Sequence, residues 1–311
     1  KKLSTRFNDI VEILAEADAW AQIEGKSLVS REDVSKAIRE KEQRSNKYSE
    51  KLLELLEEST IMVDTEGKVV GQINGLSVIS TGDFVFGRPS RITATTFMGR
   101  SGIVNVEREV NMSGTSHSKG VMILSGYIGE QYAQEVPLAL NANITFEQLY
   151  GGVDGDSASS AELYAILSSL SEAPIDQGIA VTGSVNQKGE IQPVGGVTYK
   201  IEGFFALCKK RGLTGKQGVI IPRKNIRNLV LKDEVIQAVE EGKFHIYAID
   251  TINEGIEILT GIAAGRKLEN GFFEKGSIHE RVYNKIRQYA LTMVNFGKGE
   301  DGDGEEATVN R

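Results

Sequence analysis

The stretch GGVDGDSASSAELYAILSSL, residues 151–170, places a serine at the start of a predicted helix. A Gly-rich turn comes first, and the small and apolar residues from 158 to 170 favour the helix. Asp156 is the predicted N-cap residue. Ser157 follows it, so its hydroxyl would lie among backbone N–H groups that the first turn leaves unpaired and that can stabilise an oxyanion. Alone, a Gly-Asp-Ser turn before a helix is more often an ordinary cap.

A nucleophilic serine needs a base, and histidine is the usual one. The chain has three histidines. His117 lies in the predicted turn SGTSHSKG, His245 opens a predicted buried strand, and His279 lies in a late predicted helix. None has a recognisable motif around it, which disfavours a Ser–His–Asp triad. A different serine hydrolase that uses His245 or His117 stays open as an alternative.

A lysine can replace histidine when its surroundings lower its pKa towards neutrality. Lys200 follows the tight turn Gly195–Gly196 and falls in the first turn of a helix predicted over 198–211. Its neighbours on that helix are apolar, and the helix N-terminus disfavours a positive charge. Both effects lower the pKa of Lys200, which makes it a candidate base for Ser157.

The remaining sequence predicts two folded parts and a tail. Residues 1–60 show helical spacing of apolar side chains over about three helices, the second of them capped by Ser30. Residues 61–146 read as strands, including GVMILSGYIG at 120–129. Strands and helices alternate over 140–260, which predicts an α/β or α+β domain with a partly parallel sheet. The last part, residues 269–311, is predicted as a helix and an acidic, disordered tail that begins at Gly297.

Composition excludes several classes of function. The net charge of −7 gives no general attraction to nucleic acid or to anionic membranes. The sequence contains no run of about 18 apolar residues, so it predicts no membrane span. The only cysteine, Cys208, excludes an intrachain disulfide and a Cys-rich metal site, so no metal is expected. We expect a cytoplasmic protein, since a single cysteine fits a reducing compartment.

The two candidate segments together resemble a known family. VDGDSAS (153–159), followed by VTGSVNQKGEIQPVGGVTYKIEG (181–203), resembles the proteolytic domain of B-type Lon proteases. The resemblance covers about residues 62–268, so a Lon proteolytic domain is expected at 61–268. It implies that Ser157 is the nucleophile and that Lys200, 43 positions later, is the general base. Residues 1–60 resemble the helical lid subdomain of a AAA+ ATPase, a small all-α unit.

The resemblance also implies roles for the neighbours of the pair. Thr182 matches a threonine whose hydroxyl hydrogen-bonds the catalytic lysine. Asp154 matches an acidic position to which we assign an orienting or gating role. The backbone of Gly155, Asp156 and Ser157 would supply the oxyanion donors.

Partners and cofactors follow from the same resemblance. Lon proteases are ring hexamers that degrade unfolded or damaged proteins with ATP, which implies a homohexamer and unfolded protein substrates. Gly25-Lys26-Ser27 is not a Walker A motif, because the required glycine at position 20 is Trp20. We therefore expect no cofactor in this chain, and ATP only for a longer protein of which the chain is a fragment. A scaffold or regulatory module that keeps the fold without proteolysis is the alternative.

Overall fold

A computed structural model describes residues 6–82 and 84–300, the side chains of 297–300 excepted. The chain divides into two compact units. One holds the described residues up to Leu55 together with the short segment around 80–85, and the other holds the rest. None of the helices in the described residues is both long enough and apolar enough to cross a membrane.

The first unit is built from helices, as the sequence predicts. They are α1 (Phe7–Ile23), α2 (Arg31–Ser45) and α3 (Lys47–Glu57), the last of which continues past Leu55. Ser30 begins α2 with a capping box, in which its hydroxyl accepts from the N–H of Asp33 and the Asp33 carboxylate accepts from the N–H of Ser30. Ala17, Ala21 and Ala37 are buried on facing turns of α1 and α2.

The second unit contains a mixed sheet of seven strands in the order β11-β10-β7-β2-β3-β5-β4. Neighbours among β2, β7, β10 and β11 are parallel, as are β4 and β5, while β3 and β5 are antiparallel. Two short pairs, β1 with β6 and β8 with β9, lie outside it. The strands are β1 (Lys68–Val69), β2 (Gln72–Ser80), β3 (Val85–Met98), β4 (Gly102–Asn105), β5 (Leu140–Phe146), β6 (Ile175–Asp176), β7 (Ile179–Val181), β8 (Ser184–Val185), β9 (Ile191–Gln192), β10 (Gly218–Pro222) and β11 (His245–Ile249).

Helices cover both faces of this sheet. Successive strand residues point to opposite faces, and in β7 Ile179 and Val181 join one core cluster while Ala180 joins the other. The first cluster receives α5, α6, α9 and α10, and the second receives α7 and α8. The helices of this unit are α4 (Val106–Glu109), α5 (Thr115–Tyr132), α6 (Ser159–Ser171), α7 (Val197–Arg211), α8 (Asp233–Glu240), α9 (Ile252–Thr260) and α10 (Ile278–Glu300), with a 3-10 helix at Arg223–Asn228. The predicted fold class, a mixed α/β domain after an all-α segment, is confirmed.

The strand prediction for residues 120–129 is wrong, because this segment lies within α5. Its buried residues Val121, Leu124 and Ile128 recur every three to four positions, a spacing that buries one face of a helix. That periodicity outweighs the strand preference of the β-branched side chains. The same helix contains His117, which was predicted in a turn.

The C-terminal helix is longer than predicted. It runs from Ile278 to Glu300 and so includes the first four residues of the predicted tail. The rest of that tail, residues 301–311, lies outside the described residues.

Candidate active site

Ser157 lies in a turn immediately before α6, half-buried, and α6 begins two residues later at Ser159. The predicted N-cap role of Asp156 is wrong. The N-cap residue is Ala158, without a side-chain cap, and the Asp156 carboxylate instead accepts a hydrogen bond from Ser184 Oγ at 2.7 Å. The turn inserts two residues between Asp156 and the helix, which leaves this carboxylate free to reach β8.

The turn that carries Ser157 is bound along its length to residues 182–185, which include β8. The Ser157 carbonyl oxygen accepts from the Gly183 N–H at 2.9 Å and from Thr182 Oγ1 at 3.3 Å. The Gly183 carbonyl accepts in turn from Ser160, both from its N–H and from its hydroxyl. We call this set of contacts between residues 156–160 and 182–185 the seam. The seam fixes the serine backbone against the carboxyl end of β7. Of residues 182–185, only Thr182 was identified from the sequence.

Lys200 reaches this turn from the other face of the sheet. It lies in the first turn of α7 and is only 3% exposed. Its Nζ donates to Ser157 Oγ at 2.9 Å and to Thr182 Oγ1 at 3.0 Å. The structure therefore brings together Ser157, Lys200 and Thr182, where α6 begins on one face, α7 begins on the other and β7 ends between them.

Burial lowers the pKa of Lys200 to about 8, and the negative charge of Asp156 acts in the opposite direction. The ammonium loses hydration in this site, while its two described hydrogen-bond partners are neutral hydroxyls. A lysine with a pKa near 8 is neutral in a useful fraction of molecules close to neutral pH, as a general base requires.

Two glycines allow α7 to lie directly on β3 beside this lysine. A Cβ atom at Gly87 would stand 2.0 Å from the Tyr199 carbonyl oxygen and 2.8 Å from Cα of Lys200. A Cβ atom at Gly203 would stand 2.3 Å from the Gly87 carbonyl oxygen. Nothing in the sequence around these glycines distinguishes them from the other glycines, so their contribution to placing Lys200 was missed.

Asp154 is not among the described hydrogen-bond partners of Lys200, which are Ser157 and Thr182. Its side chain is exposed and packs against Gly114, where a Cβ atom would stand 2.2 Å from Asp154 Cγ. It lines an open cavity of about 570 Å³, together with residues 111–114 and 150–153. Among the described residues, the carboxylate that acts on the pKa of Lys200 is that of Asp156, not that of Asp154.

The backbone N–H groups near Ser157 are not all free, which corrects part of the expectation. Those of Ser159 and Ser160 donate to the carbonyl oxygens of Asp156 and Gly183. Within the described part of the chain, the N–H groups of Gly155, Asp156 and Ser157 donate no hydrogen bond. These three remain available to a developing oxyanion.

No histidine is hydrogen-bonded to Ser157 among the residues described. His245 begins β11 and is in register with Gly218, which pairs with Ile179 at the start of β7. Thr182 and the turn of Ser157 lie at the opposite end of β7, so His245 is at the other end of these strands. His279 contacts the Tyr132 hydroxyl and Asn253 Oδ1. His117 is fully buried in α5, 3.5 Å from the Glu162 carboxyl. In the residues that the structure describes, no group of three or more His, Cys, Asp or Glu side chains could hold a metal ion.

Comparison with protein families agrees with this geometry. Residues 52–261 match the Lon protease (S16) C-terminal proteolytic domain. The chain belongs to the Lon protease family. Residues 1–44, which include α1 and all but the last residue of α2, match the AAA+ ATPase LID domain of archaeal LonB.

Several curated Lon relatives are similar to the chain. A putative Lon protease homolog of Escherichia coli is 42% identical over 261 residues, which cover 83% of this chain and 44% of the relative. Another from Haemophilus influenzae is 46% identical over 203 residues, 65% of this chain and 34% of the relative. The archaeal Lon protease of Archaeoglobus fulgidus is 30% identical over 293 residues, 94% of this chain and 42% of the relative. The chain thus spans less than half the length of these relatives.

Proposed function

We propose that this chain is the proteolytic part of an ATP-dependent Lon-like protease, a serine endopeptidase with Ser157 as nucleophile and Lys200 as general base. The observation that carries the proposal is the 2.9 Å contact between Lys200 Nζ and Ser157 Oγ. Membership of the S16 family supports a peptidase.

The contacts suggest how the reaction proceeds. When Lys200 is neutral, the direction of its hydrogen bond with Ser157 reverses, and the serine O–H donates to the amine lone pair. Thr182 accepts one amine N–H, which turns the lone pair towards Ser157. Lys200 takes the proton as Ser157 Oγ attacks the peptide carbonyl, and then returns it to the leaving amine. A water molecule, deprotonated by the same lysine, then attacks the acyl carbonyl. The bond to Ser157 Oγ breaks, and Lys200 returns the proton to this oxygen, which restores the starting state.

In this scheme, backbone N–H groups stabilise the oxyanion by hydrogen bonding. Those of residues 155–157 are free of partners among the described residues and lie next to the nucleophile. Donors of this kind typically lower the barrier by about 3–4 kcal/mol each. The open cavity lined by Asp154 adjoins the same turn, so we assign Asp154 a role in shaping or gating the substrate groove.

For the whole protein, we propose a homohexamer that degrades unfolded or damaged proteins in the cytoplasm with ATP. The lid match at residues 1–44 supports a link to a AAA+ motor. The buried and unpaired Cys208 fits a reducing compartment.

The test compares Ser157→Ala and Lys200→Ala with the parent chain on a short unstructured peptide, a substrate that needs no unfolding motor. Both variants should lose cleavage, while Lys209→Ala should keep it, because Lys209 is an exposed lysine of the same helix paired with Glu234. Cleavage at the parent rate by both dyad variants contradicts the proposal. Loss of cleavage in a folded His245→Ala or His117→Ala variant alone would favour a different hydrolase. A parent chain that cleaves no peptide would favour a scaffold or regulatory module.

A further inference from the structure

The Asp156 carboxylate presents a problem for the proposed base. It is the charge that raises the pKa of Lys200, against the effect of burial. A carboxylate in contact with the amine would hold its proton and form an ion pair. Yet the hydrogen bonds of Lys200 Nζ go to Ser157 and Thr182. Another group must therefore bind the Asp156 carboxylate and hold it away from the amine of Lys200.

Ser184 is the group that binds it. Ser184 Oγ lies 2.7 Å from Asp156 Oδ2 and 3.3 Å from Gln192 Oε1. A hydroxyl has one proton to donate, and the shorter contact with a carboxylate receives it, as a charge-assisted hydrogen bond. Ser184 is itself 3% exposed and is held in the β8–β9 pair opposite Gln192. The position of the Ser184 hydroxyl is therefore set by the β8–β9 pair and does not depend on its hydrogen bond to Asp156.

Among the described residues, Asp156 is the only charged group that acts on the pKa of Lys200. Segment 182–184 presents the hydroxyls of Thr182 and Ser184, and β3 presents the backbone of Gly87. On the far side of Asp156, α5 contributes Gly120, where a Cβ atom would stand 3.4 Å from Asp156 Cβ. The Cβ atom of Asp156 thus packs near α5, while its carboxylate is bound by Ser184.

We propose that Ser184 is a positioning residue that keeps the Asp156 carboxylate off Lys200, so that Lys200 can give up its proton and act as the base. The proposal rests on the proposed function only for its catalytic consequence, because the protonation state of Lys200 can be followed without turnover. In Ser184→Ala the carboxylate is released and can turn towards the ammonium. An opposite charge at that range raises a pKa by about 1–3 units.

The first experiment measures the protonation of Lys200 directly. The rate at which acetic anhydride modifies Lys200 is followed against pH by mass spectrometry, in the parent chain, Ser184→Ala, Asp156→Asn and the double variant. We expect the Lys200 midpoint to rise by about one unit or more in Ser184→Ala and to fall in Asp156→Asn. The double variant should follow Asp156→Asn, since Ser184 acts through that carboxylate. An unchanged midpoint in Ser184→Ala, or the same rise in the Asp156→Asn background, overturns the proposal.

The second experiment reads the consequence for peptide cleavage. Below the midpoint, kcat/KM of Ser184→Ala should be about tenfold lower than that of the parent, and the loss should shrink as the pH rises. Ser184→Thr keeps a hydroxyl and should restore the parent profile. Ser159→Ala cuts the neighbouring seam contact with the Val185 N–H, so any loss should be equal at every pH. A pH-independent loss in Ser184→Ala as well would mean a merely structural role.

The two experiments separate the two proposals. A shifted Lys200 midpoint in a chain that cleaves nothing would retain the role of Ser184 and remove the proteolytic function. If cleavage needs Ser157 and Lys200 but the Lys200 midpoint does not move in Ser184→Ala, the proteolytic function is retained and the role of Ser184 is removed.

Discussion

Gly203 of α7 and Gly87 of β3 lie backbone against backbone, and a Cβ atom at position 203 would stand 2.3 Å from the Gly87 carbonyl oxygen. No side chain separates the helix from the strand at this point. Lys200 lies one turn earlier on α7, so the distance from this helix to the sheet also sets the reach of its amine. The position of Lys200 therefore depends on the absence of a side chain at both glycines.

The first prediction concerns this contact. Gly203→Ala forces α7 away from β3, because the atoms that a new Cβ would meet all belong to the Gly87 backbone. A displacement of about 1 Å can lower the rate of catalysis about a hundredfold, and overpacking typically costs about 1–3 kcal/mol of stability. Peptide cleavage and urea denaturation of the same samples measure the two effects.

Gly129→Ala is the matched control, since Gly129 is also helical and a Cβ atom there meets nothing within 4 Å. This control should keep its activity and gain up to about 1 kcal/mol from the better helix propensity of alanine. Equal behaviour of the two alanine variants would show that the contact does not place Lys200.

The second prediction concerns Thr182, whose Oγ1 accepts from Lys200 Nζ and lies 3.3 Å from the Ser157 carbonyl oxygen. Thr182→Val keeps the shape of the side chain but leaves a buried amine with one fewer partner. We expect kcat/KM to fall about tenfold to a hundredfold, because an unpaired buried donor costs about 1–3 kcal/mol. Thr182→Ser keeps the hydroxyl and should retain most of the activity. A loss as large as that of Thr182→Val would contradict the idea that the hydroxyl itself is needed.

The sequence predicted the dyad better than its surroundings, and the reason is physical. Neither Ser157 nor Lys200 is distinctive alone, but the two segments that carry them, with the two residues 43 positions apart, resemble those of Lon proteases, so the pair could be predicted without the fold. Ser184 contacts Asp156 across 28 positions of chain, and no local pattern announces such a contact. The contact arises because β8 follows β7 closely in the chain and lies along the turn before α6.

The error at residues 120–129 has a related cause. Val121, Leu124 and Ile128 have helical spacing, but the neighbouring glycines and β-branched residues suggested strands. Gly120 and Gly126 face Asp156 and Gln187 closely, so these glycines serve packing against other elements rather than turns. Glycine composition alone does not distinguish these two uses.

The third prediction follows from the lowered pKa of Lys200, which is about 8 in the folded chain against an ordinary 10.5 for a solvated lysine. Between these values the unfolded chain binds more protons, so the free energy of unfolding rises with pH from about 8 to about 10.5. Below pH 8 the full cost of burying the charge is present. Lys200→Met removes it and should be more stable than the parent at pH 7, by about 2 kcal/mol.

The measurement for Lys200→Met is urea denaturation at pH 7 and at pH 10, parent and variant together. The difference in the free energy of unfolding should be largest at pH 7 and shrink at pH 10. A variant less stable than the parent at pH 7 would contradict the idea that this lysine is kept at a cost to stability. Lys209→Met is the control, because Lys209 is an exposed lysine of the same helix.

The fourth prediction concerns Glu162, which is fully buried in α6 and 3.5 Å from His117 Nε2. Burial, with a smaller effect of Glu107, raises the pKa of Glu162 to about 8, and burial lowers the pKa of His117. Both shifts favour the uncharged forms, so at neutral pH this contact joins two neutral groups rather than an ion pair. Neither side chain has a hydrogen-bond partner among the described residues, which makes ionisation there costly.

When folding raises the pKa of a carboxyl group, the folded chain binds the proton more tightly than the unfolded chain. The folded chain is therefore more stable at low pH, and this extra stability is lost as the pH rises. The contribution of Glu162 is complete below about 4.5, its unfolded value, and is lost as the pH rises through about 8. Glu162→Gln resembles the protonated acid in shape and cannot ionise. Thermal denaturation should therefore show the parent losing stability relative to Glu162→Gln between pH 6 and pH 8, by roughly a few kcal/mol. Parallel profiles for the two proteins would mean that Glu162 does not change its protonation in the folded chain between pH 6 and pH 8, and would contradict the prediction.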